Sequence, residues 1–438
     1  MFSFFRPPQT SAMPAAKIPY SSSALQSLAI PAVSFLICFL AYSSQYLFYY
    51  IEPGPLSFKE AARFNIFVGA VWWCYDRACN VDPGQKGWVD KVAPNTEQAE
   101  ADGSILTFDK GLRWCKKCEA VKPPRAHHCR TCARCIPKMD HHCPWTRNCV
   151  SHTTFPHFLR FVLYAVISMS ILAYHLYIRA MVIWDNRNLP SYLGPSKWAL
   201  AHLFILLVVN SFTLFALIIL LVSAVHSLIT NTTMIESWEI ERHEALVHRS
   251  LRTSGYVYAS GGERMRIQHQ EFPYDVDVWK NLCQGMGTTN VLVWFMPFGG
   301  GPSIETAGTF EVNGFEDADK TWPPPDPDKM STGERIERQK ADEKIYGTPE
   351  EELAAFRRRQ EEDHKRWLRK ENPALDDEES ESPSEDEAKV GTDKKAWTSR
   401  SGDRLHDFGV DEEAEVLPED EIPLAELLRR RKARAHDG

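Results

Sequence analysis

Seven of the eleven cysteines in this 438-residue chain lie between Cys115 and Cys149. Six of them, with two histidines, form two series of identical spacing, Cys-x2-Cys-x9-His-x6-Cys, and the second series follows the first by fourteen residues. Three thiolates and one imidazole are the usual ligands of a closed, tetrahedral structural zinc site. The sequence therefore predicts two structural zinc ions. The predicted ligands are Cys115, Cys118, His128 and Cys135 for one ion, and Cys129, Cys132, His142 and Cys149 for the other.

The two series overlap along the chain, because the first two cysteines of the second series lie inside the first. A sequential division is the alternative, in which the first four cysteines bind one ion. The other ion would then be bound by Cys135, His142, Cys143 and Cys149. That division would use Cys143 as a ligand and would leave the fourteen-residue repeat unexplained, so the interleaved division is favoured.

The interleaved division leaves Cys143, His141 and His127 without a metal ion. Cys143 is then a free thiol fixed between ligands of the second ion, and a fixed position is what a nucleophile requires. His141 can accept the thiol proton or, as imidazolium, lower the pKa of the thiol. Asp140 can hold one imidazole nitrogen and so fix the tautomer and orientation of the ring. The three residues together predict a nucleophilic cysteine with its own acid–base pair.

Long apolar segments flank this cysteine-rich region. About twenty apolar residues are needed to cross the hydrocarbon core of a bilayer. The second segment carries its charged residues near its ends, where long side chains can reach the interface. The sequence therefore predicts an all-α polytopic membrane protein with four transmembrane helices and the zinc-binding module between the second and the third. The four segments are residues 25–48, 61–79, 158–184 and 198–230.

The distribution of basic residues predicts the orientation of these helices. Residues 80–157 contain twelve lysines and arginines, whereas the loops 49–60 and 185–197 contain one and two. Basic loops face the cytosol, so the cysteine-rich module and both termini are expected on the cytosolic side. The reducing cytosol favours metal binding or catalysis over disulfides.

Charge divides the chain into two parts of different character. Residues 301–438 carry 38 acidic and 23 basic side chains, which is typical of a largely disordered acidic tail. The run "VLVWFMPFGGG" (291–301) is too short to span a membrane and either lies on the membrane surface or packs on the helices. The predicted organisation is a flexible N-terminus at 1–24, two transmembrane helices at 25–79, the cysteine-rich module at 80–157, two more helices at 158–230, a cytosolic region at 231–300 and the charged tail at 301–438.

The order Asp140-His141-His142-Cys143 in a cysteine-rich loop between the second and third of four apolar segments resembles the DHHC protein S-acyltransferases, or palmitoyltransferases. The resemblance covers roughly residues 25–300. It includes Asp82-Pro83-Gly84 after the second segment, the family's TTxE motif after the fourth segment, and a C-terminal motif whose asparagine matches Asn281. In the TTxE motif, Thr233 and Glu236 match, whereas Met234 stands at the second threonine.

The resemblance implies a reaction in two steps. The cysteine that matches Cys143 takes a fatty acyl group from acyl-CoA, typically palmitoyl-CoA, as a thioester and passes it to cysteines of membrane-associated proteins. The residues that match His141 and Asp140 serve as the base and as the group that orients it. Two structural zinc ions accompany this site in the family. A non-catalytic, zinc-built membrane adaptor is the alternative, but it gives no reason for a free cysteine beside a histidine.

The run "FPYDVDVWKN" (272–281) and the short first loop resemble the fungal, endoplasmic-reticulum branch of this family. Members of that branch are associated with acylation of a chitin synthase. The expected location is therefore the endoplasmic-reticulum membrane, with the lipid bilayer, acyl-CoA and membrane-protein substrates as partners and no nucleic acid among them.

Overall fold

The computed structural model describes residues 23–89, 113–188, 190, 193–253, 255–258, 264–267, 269–314, 322–324 and 397–416. The chain forms two compact units. The first consists of Met1–Ala93, Pro123–Met234 and Tyr274–Val312, and the second of Pro94–Lys122, Ile235–Pro273 and Asn313–Gly438. The predicted N-terminus and most of the predicted tail lie outside the described residues.

Helices make up most of the described structure. The first is continued without a break by a π-helical turn, Phe39–Ser43, and the second by a 3-10 turn, Phe48–Tyr50. The α-helices are α1 (Ser23–Cys38), α2 (Ser44–Leu47), α3 (Phe58–Asn80), α4 (Phe155–Asp185), α5 (Lys197–Ile229), α6 (Met234–Leu251), α7 (Val278–Met286) and α8 (Val291–Phe295).

Three helical segments of the described chain are long and apolar enough to cross a membrane: Leu28–Tyr50, Phe155–Asp185 and Lys197–Ile229. They correspond to the first, third and fourth predicted segments. The second predicted segment lies in α3, which is helical but is not among the three. Charged side chains at both ends of α3 leave only twelve residues free of charge, between Arg63 and Asp76. The fourth span is therefore not confirmed.

Helix α3 nevertheless shares one buried core with the three apolar segments. Leucine, valine and phenylalanine side chains interlock across the four helical segments and exclude solvent from their centre. The residues of this core include Leu40 and Leu47 of the first segment, Phe64 and Val68 of α3, Leu172 and Leu176 of α4, and Leu203 and Leu206 of α5. The outer face of α5 is apolar but exposed, with Phe212 75% and Phe215 65% exposed, as expected for a surface that faces lipid.

The turn after α3 connects that helix to the cysteine-rich region. The carboxylate of Asp82 accepts a hydrogen bond from the Gly84 amide at 2.9 Å, which closes the turn. The hydroxyls of Ser151 and Thr153 donate to the carbonyls of Pro83 and Asp82 at 3.1 and 3.0 Å. A side chain at Gly84 would lie 2.8 Å from the ring of Pro137, so only glycine fits. The Asp-Pro-Gly motif is thus a structural joint.

Short antiparallel hairpins form the cysteine-rich region. In the second and third hairpins each histidine ligand lies directly opposite a cysteine ligand, with His128 paired to Cys135 and His142 to Cys149. The strands are β1 (Trp114–Cys115), β2 (Ala120–Val121), β3 (His127–Cys129), β4 (Arg134–Ile136), β5 (His141–Cys143) and β6 (Asn148–Val150).

The second unit contains an ordered piece of the C-terminal tail that sequence reasoning did not anticipate. It also contains a hairpin of β7 (Tyr256–Tyr258) and β8 (Arg264–Arg266). Strand β9 (Glu415–Val416) adds to the free edge of β1, and the amide of Lys116 donates to the carbonyl of Ala414 at 3.0 Å. Residues 397–416 also pack on α6 through ring contacts and hydrogen bonds. These involve Trp238 with Trp397 and Asp403, and Glu241 with Arg400.

Replacing a buried anchor of this segment should release it. We expect Phe408→Ser, which removes a buried aromatic side chain, to free the Lys116 amide from Ala414 and to speed its hydrogen exchange at least tenfold. The amide of Lys122, bonded to Arg113 within the same hairpin, should change much less. His406→Ser, at an exposed neighbouring position, is the matched control. Unchanged exchange at Lys116 in Phe408→Ser would contradict docking of this segment on β1.

Candidate active site and metal centres

The predicted metal ligands lie in two groups. Within each group, one ligand atom from every residue lies within 4.8 Å of the others, and the grouping is the interleaved one. Cys143 belongs to neither group. The groups are Cys115, Cys118, His128 and Cys135, and Cys129, Cys132, His142 and Cys149.

The distances within the second group fit a single tetrahedral ion. Nδ1 of His142 lies 3.5 Å from the sulfurs of Cys132 and Cys149 and 3.7 Å from that of Cys129. The sulfurs of Cys132 and Cys149 are 3.5 Å apart. A tetrahedron with zinc–sulfur bonds of about 2.3 Å and a zinc–nitrogen bond of about 2.0 Å has edges of roughly 3.5–3.8 Å. The expected pair of Cys3His sites is thus confirmed, and their ligands suit structural zinc.

The ligand turns repeat three times, although only two of them carry a second cysteine. Glu119, Ala133 and Arg147 lie fourteen residues apart, and each has a φ angle of +51° at the end of such a turn. In the second turn, the amide of Cys132 donates to the sulfur of Cys129 at 3.4 Å. The third turn starts at Cys143 and has Thr146 in place of the second cysteine.

Cys143 therefore occupies the position of a metal ligand in a turn that lacks the rest of a metal site. The hydroxyl of Thr146 donates a hydrogen bond to the backbone carbonyl of Cys143 at 3.4 Å. Thr146 is itself almost fully buried, with 2% of its surface exposed. Thr146 was not among the residues predicted from the sequence. The fourteen-residue repeat could have identified it, because Thr146 lies fourteen residues after Cys132.

Strand alternation separates the free thiol from the metal. Successive side chains of a strand point to opposite faces, so in β5 His142 lies on one face and His141 and Cys143 share the other. His142 faces its cross-strand partner Cys149 in the metal group. His141 and Cys143 shift the pKa values of each other, as expected for an imidazole and a thiol on one face. One three-residue strand thus contributes a ligand on one face and a thiol–imidazole pair on the other.

Asp140 completes a linear set of three side chains. Its Oδ2 lies 2.7 Å from Nδ1 of His141, and its Oδ1 accepts a 2.7 Å hydrogen bond from the backbone amide of Met234. Both carboxylate oxygens are thus engaged, and the carboxylate is buried. Met234 stands where the family motif has its second threonine. Because the backbone makes the contact, the Asp140 carboxylate is held without a hydroxyl at position 234.

The electrostatics of the set favour an ion pair. Burial alone would lower the pKa of His141, but its hydrogen bonds with Asp140 and Cys143 outweigh burial and raise the pKa to about 10. Burial alone would raise the pKa of Cys143, but hydrogen bonds from His141 and Thr146 and the charge on His141 bring it below its ordinary value. Near neutral pH these shifts favour an imidazolium beside a thiolate, which is the reactive form of cysteine.

The thiol of Cys143 lies against the first turns of α4. It is 5% exposed and forms one apolar cluster with Val150, Phe158 and Val162. Leu217 and Leu221 of α5 pack against the same cluster. The reactive atom thus lies where a polar module meets two apolar, span-length helices.

Asn231 is a second structural centre that sequence reasoning did not assign. It has a φ angle of +52°, a conformation that asparagine tolerates better than most residues. Arg125 donates to its carbonyl at 2.5 Å, and Lys138 donates to its side-chain oxygen at 2.6 Å. Its own amide group donates to the carbonyl of Tyr274 at 2.8 Å. These bonds fix the turn that presents the Met234 amide to Asp140.

The remaining motif residues are buried. Asn281 is fully buried and donates to the carbonyl of Ile229 and to Asp275, both at 2.7 Å, which ties α7 to the end of α5. Thr233 and Glu236 are 4% and 2% exposed. His127 takes the place on β3 that His141 takes on β5 and is also buried.

Comparison with known proteins adds an independent result. Residues 109–241 match the family model described as DHHC palmitoyltransferase. The chain is 49% identical to palmitoyltransferase pfa4 of Aspergillus fumigatus over 435 residues, which are 93% of this chain and 98% of that protein. It is 47% identical to palmitoyltransferase pfa4 of Emericella nidulans (95% and 99% covered) and 40% identical to that of Neurospora crassa (94% and 97% covered).

The zinc content of two cysteine variants distinguishes the interleaved division of the ligands from the sequential one. We expect Cys143→Ser to retain two zinc ions per chain, since Cys143 lies outside both groups. Cys132→Ser should lose one ion and unfold its hairpin, because structural zinc contributes directly to folding. Elemental analysis of the purified, full-length variants makes the comparison. Loss of an ion in Cys143→Ser would instead support the sequential division.

Proposed function

The chain belongs to the DHHC palmitoyltransferase family, and we propose that Cys143 carries the acyl group, with His141 as the proton carrier and Asp140 as the residue that orients it. Palmitoyltransferases of this kind use acyl-CoA and a protein cysteine as substrates, and membership favours the enzyme over a zinc-built adaptor. The observation that carries the proposal is the Asp140–His141–Cys143 set on the metal-free face of β5.

In the first step, the Cys143 thiolate attacks the carbonyl carbon of the acyl-CoA thioester. A new carbon–sulfur bond forms and the bond to the CoA sulfur breaks. His141, as imidazolium, gives its proton to the departing CoA thiolate. Asp140 holds Nδ1 of the ring, so the other ring nitrogen is the one that exchanges the proton.

In the second step, His141 takes the proton of a substrate cysteine, and the resulting thiolate attacks the acyl group on Cys143. The Cys143 thiolate leaves and is again paired with the imidazolium. Each step replaces one thioester by another, so no nucleotide hydrolysis is needed. When bound, the two zinc ions supply folding energy and hold the hairpins in register.

The surroundings of Cys143 suit a fatty chain. Phe158 and Val162 of α4 and Leu217 and Leu221 of α5 lead away from the thiol along the two helices. Each methylene buried in such surroundings is worth about 0.8 kcal/mol. We assign the acyl chain to this path. We also propose that α3 is the fourth transmembrane helix and that the cysteine-rich module lies on the cytosolic side of the membrane. The core that α3 shares with the other spans supports this topology.

The finer proposals about location and substrates rest on the sequence resemblance. We place the protein in the endoplasmic-reticulum membrane. Its substrates are cysteines of membrane-associated proteins close to the bilayer surface, with a chitin synthase as a candidate. We propose the division of the chain that the sequence predicts. It has transmembrane helices at 25–79 and 158–230, the cysteine-rich module at 80–157, a cytosolic region at 231–300 and the charged tail at 301–438.

Loss of His141 should slow the acylation of Cys143. We expect His141→Ala to retain two zinc ions and to reduce the rate of acylation by labelled palmitoyl-CoA roughly 100-fold, the usual scale for loss of a general base. Without the imidazolium the pKa of Cys143 rises, so less thiolate is present at neutral pH and raising the pH should restore part of the rate. His127→Ala, at the equivalent place in the repeat, is the control and should keep its rate. An unchanged rate in His141→Ala would remove His141 from the mechanism.

Ser168 should limit the length of the acyl chain. A chain about one leaflet deep, roughly 15 Å, spans about ten helical residues from Phe158. Ser168 is buried in α4, and within the described structure its hydroxyl has no hydrogen-bond partner. We expect Ser168→Phe to shift preference towards shorter acyl-CoAs with zinc content unchanged. Ser170→Phe, on the exposed side of the same helix, is the control. An unchanged chain-length profile in Ser168→Phe would place the end of the cavity elsewhere.

A further inference from the structure

A buried arginine in α4 is surrounded by backbone carbonyls of one short segment. Arg160 is 1% exposed, and its guanidinium donates to four carbonyl oxygens of residues 293–300. The acceptors and distances are Trp294 at 2.9 Å, Gly299 at 2.7 Å, Gly300 at 3.0 Å and Val293 at 3.3 Å. The hydroxyl of Tyr164, one turn along α4, donates to the carbonyl of Phe295. The polar backbone of this segment is therefore turned towards α4.

Glycines make this close approach possible. A side chain at Gly299 would lie 2.4 Å from the carbonyl oxygen of Val293 and 2.8 Å from the guanidinium of Arg160. A side chain at Gly301 would lie 2.6 Å from the carbonyl oxygen of Thr153. At Gly300, by contrast, an added side chain would meet nothing within 4 Å. The three consecutive glycines thus have different roles, and only the first and third are constrained by neighbours.

Most side chains of residues 291–298 are exposed, whereas Trp294 is partly buried against Leu159 of α4 and Leu228 of α5. None of the residues of α8 is buried. Leu292 is 71% exposed, Phe295 56%, Met296 50% and Phe298 76%. Phe298 also contacts Trp73 of α3, with ring centroids 5.0 Å apart. The result is an apolar patch that continues onto the outer surface of the helices.

The chemistry of this patch suits lipid better than water or a protein. Residues 286–301 contain no charged side chain. Arg160 and Tyr164 occupy several of the carbonyls of the segment, so the outward surface offers mainly apolar atoms. The patch lies beside the first turns of α4, one of the three helices long and apolar enough to span a membrane.

We propose that residues 291–298 form an apolar collar that inserts into the leaflet on the Cys143 side, held at its depth by Arg160. The collar and Cys143 use the same two turns of α4, since Cys143 packs on Phe158 and the collar is bound by Arg160. Insertion of the collar therefore sets the height of the thiol relative to the lipid. The proposal concerns membrane contact and stands whether or not Cys143 is the nucleophile.

Photo-cross-linking to lipid tests the collar directly. Full-length protein is reconstituted in phosphatidylcholine nanodiscs that carry a diazirine in the acyl chain, irradiated, and mapped by mass spectrometry. We expect adducts on residues 291–298 within about threefold of the yield at Phe212 and Phe215 of α5. Leu251, which is 71% exposed and ends the charged helix α6, is the reference for an exposed apolar residue outside the span-length helices. Adducts on 291–298 no more frequent than on Leu251 would overturn the proposal.

A pair of glycine variants tests the role of Arg160. Gly299→Ala should displace the segment from Arg160 and lower the cross-linking yield of residues 291–298 at least fivefold, with two zinc ions retained. Gly300→Ala, its neighbour without a steric conflict, should cross-link like the unchanged protein. Equal yields in the two variants would show that Arg160 does not hold the collar.

Discussion

The alternation of side chains along β5 is the constraint on which the site depends. His142 must face its metal group, so the residues on either side of it must face the opposite way. The free energy of metal binding, which is folding energy in sites of this kind, thereby also fixes the positions of His141 and Cys143. The thiol needs no metal of its own to be held rigidly. A helix or a loop at this position would not divide the roles of three consecutive residues in this way.

The third ligand turn explains why a thiol in a metal-binding region remains free. Cys143 starts the turn as Cys129 does, and Thr146 stands where a second ligand would be. The turn keeps the backbone conformation of the ligand turns, but its first sulfur belongs to neither group of metal ligands. The contacts of Thr146, which lower the pKa of the Cys143 thiol, can therefore stabilise a reactive thiolate. Asp140 and His141 add a proton carrier, and α4 and α5 supply an apolar surface beside the sulfur.

Much of this arrangement could be predicted from the sequence, because ligand spacing and apolar length are local properties. The two Cys3His sets and the three apolar spans are of this kind. The hydrogen bond that Asp140 accepts from the backbone amide of Met234 could not be predicted. Every residue except proline carries such an amide, so the residue type at position 234 gives no indication of it. The bonds around Asn231 and Arg160 join residues roughly a hundred positions apart and follow no periodic pattern. The ordered structure of residues 397–416 could not be predicted for a different reason. The average composition of the tail is strongly charged, and it gives no indication of the few buried apolar side chains such as Leu405 and Val410.

The central claim is that one cysteine of seven in this region is chemically distinct, and the position of the acyl group tests it most directly. Purified protein in a bilayer is mixed with palmitoyl-CoA, quenched in acid within the first turnover, digested, and mapped by mass spectrometry with and without hydroxylamine. The account predicts one hydroxylamine-sensitive palmitoyl group per chain, on Cys143, with two zinc ions retained. An acyl group on any of the six ligand cysteines in place of Cys143 would contradict it.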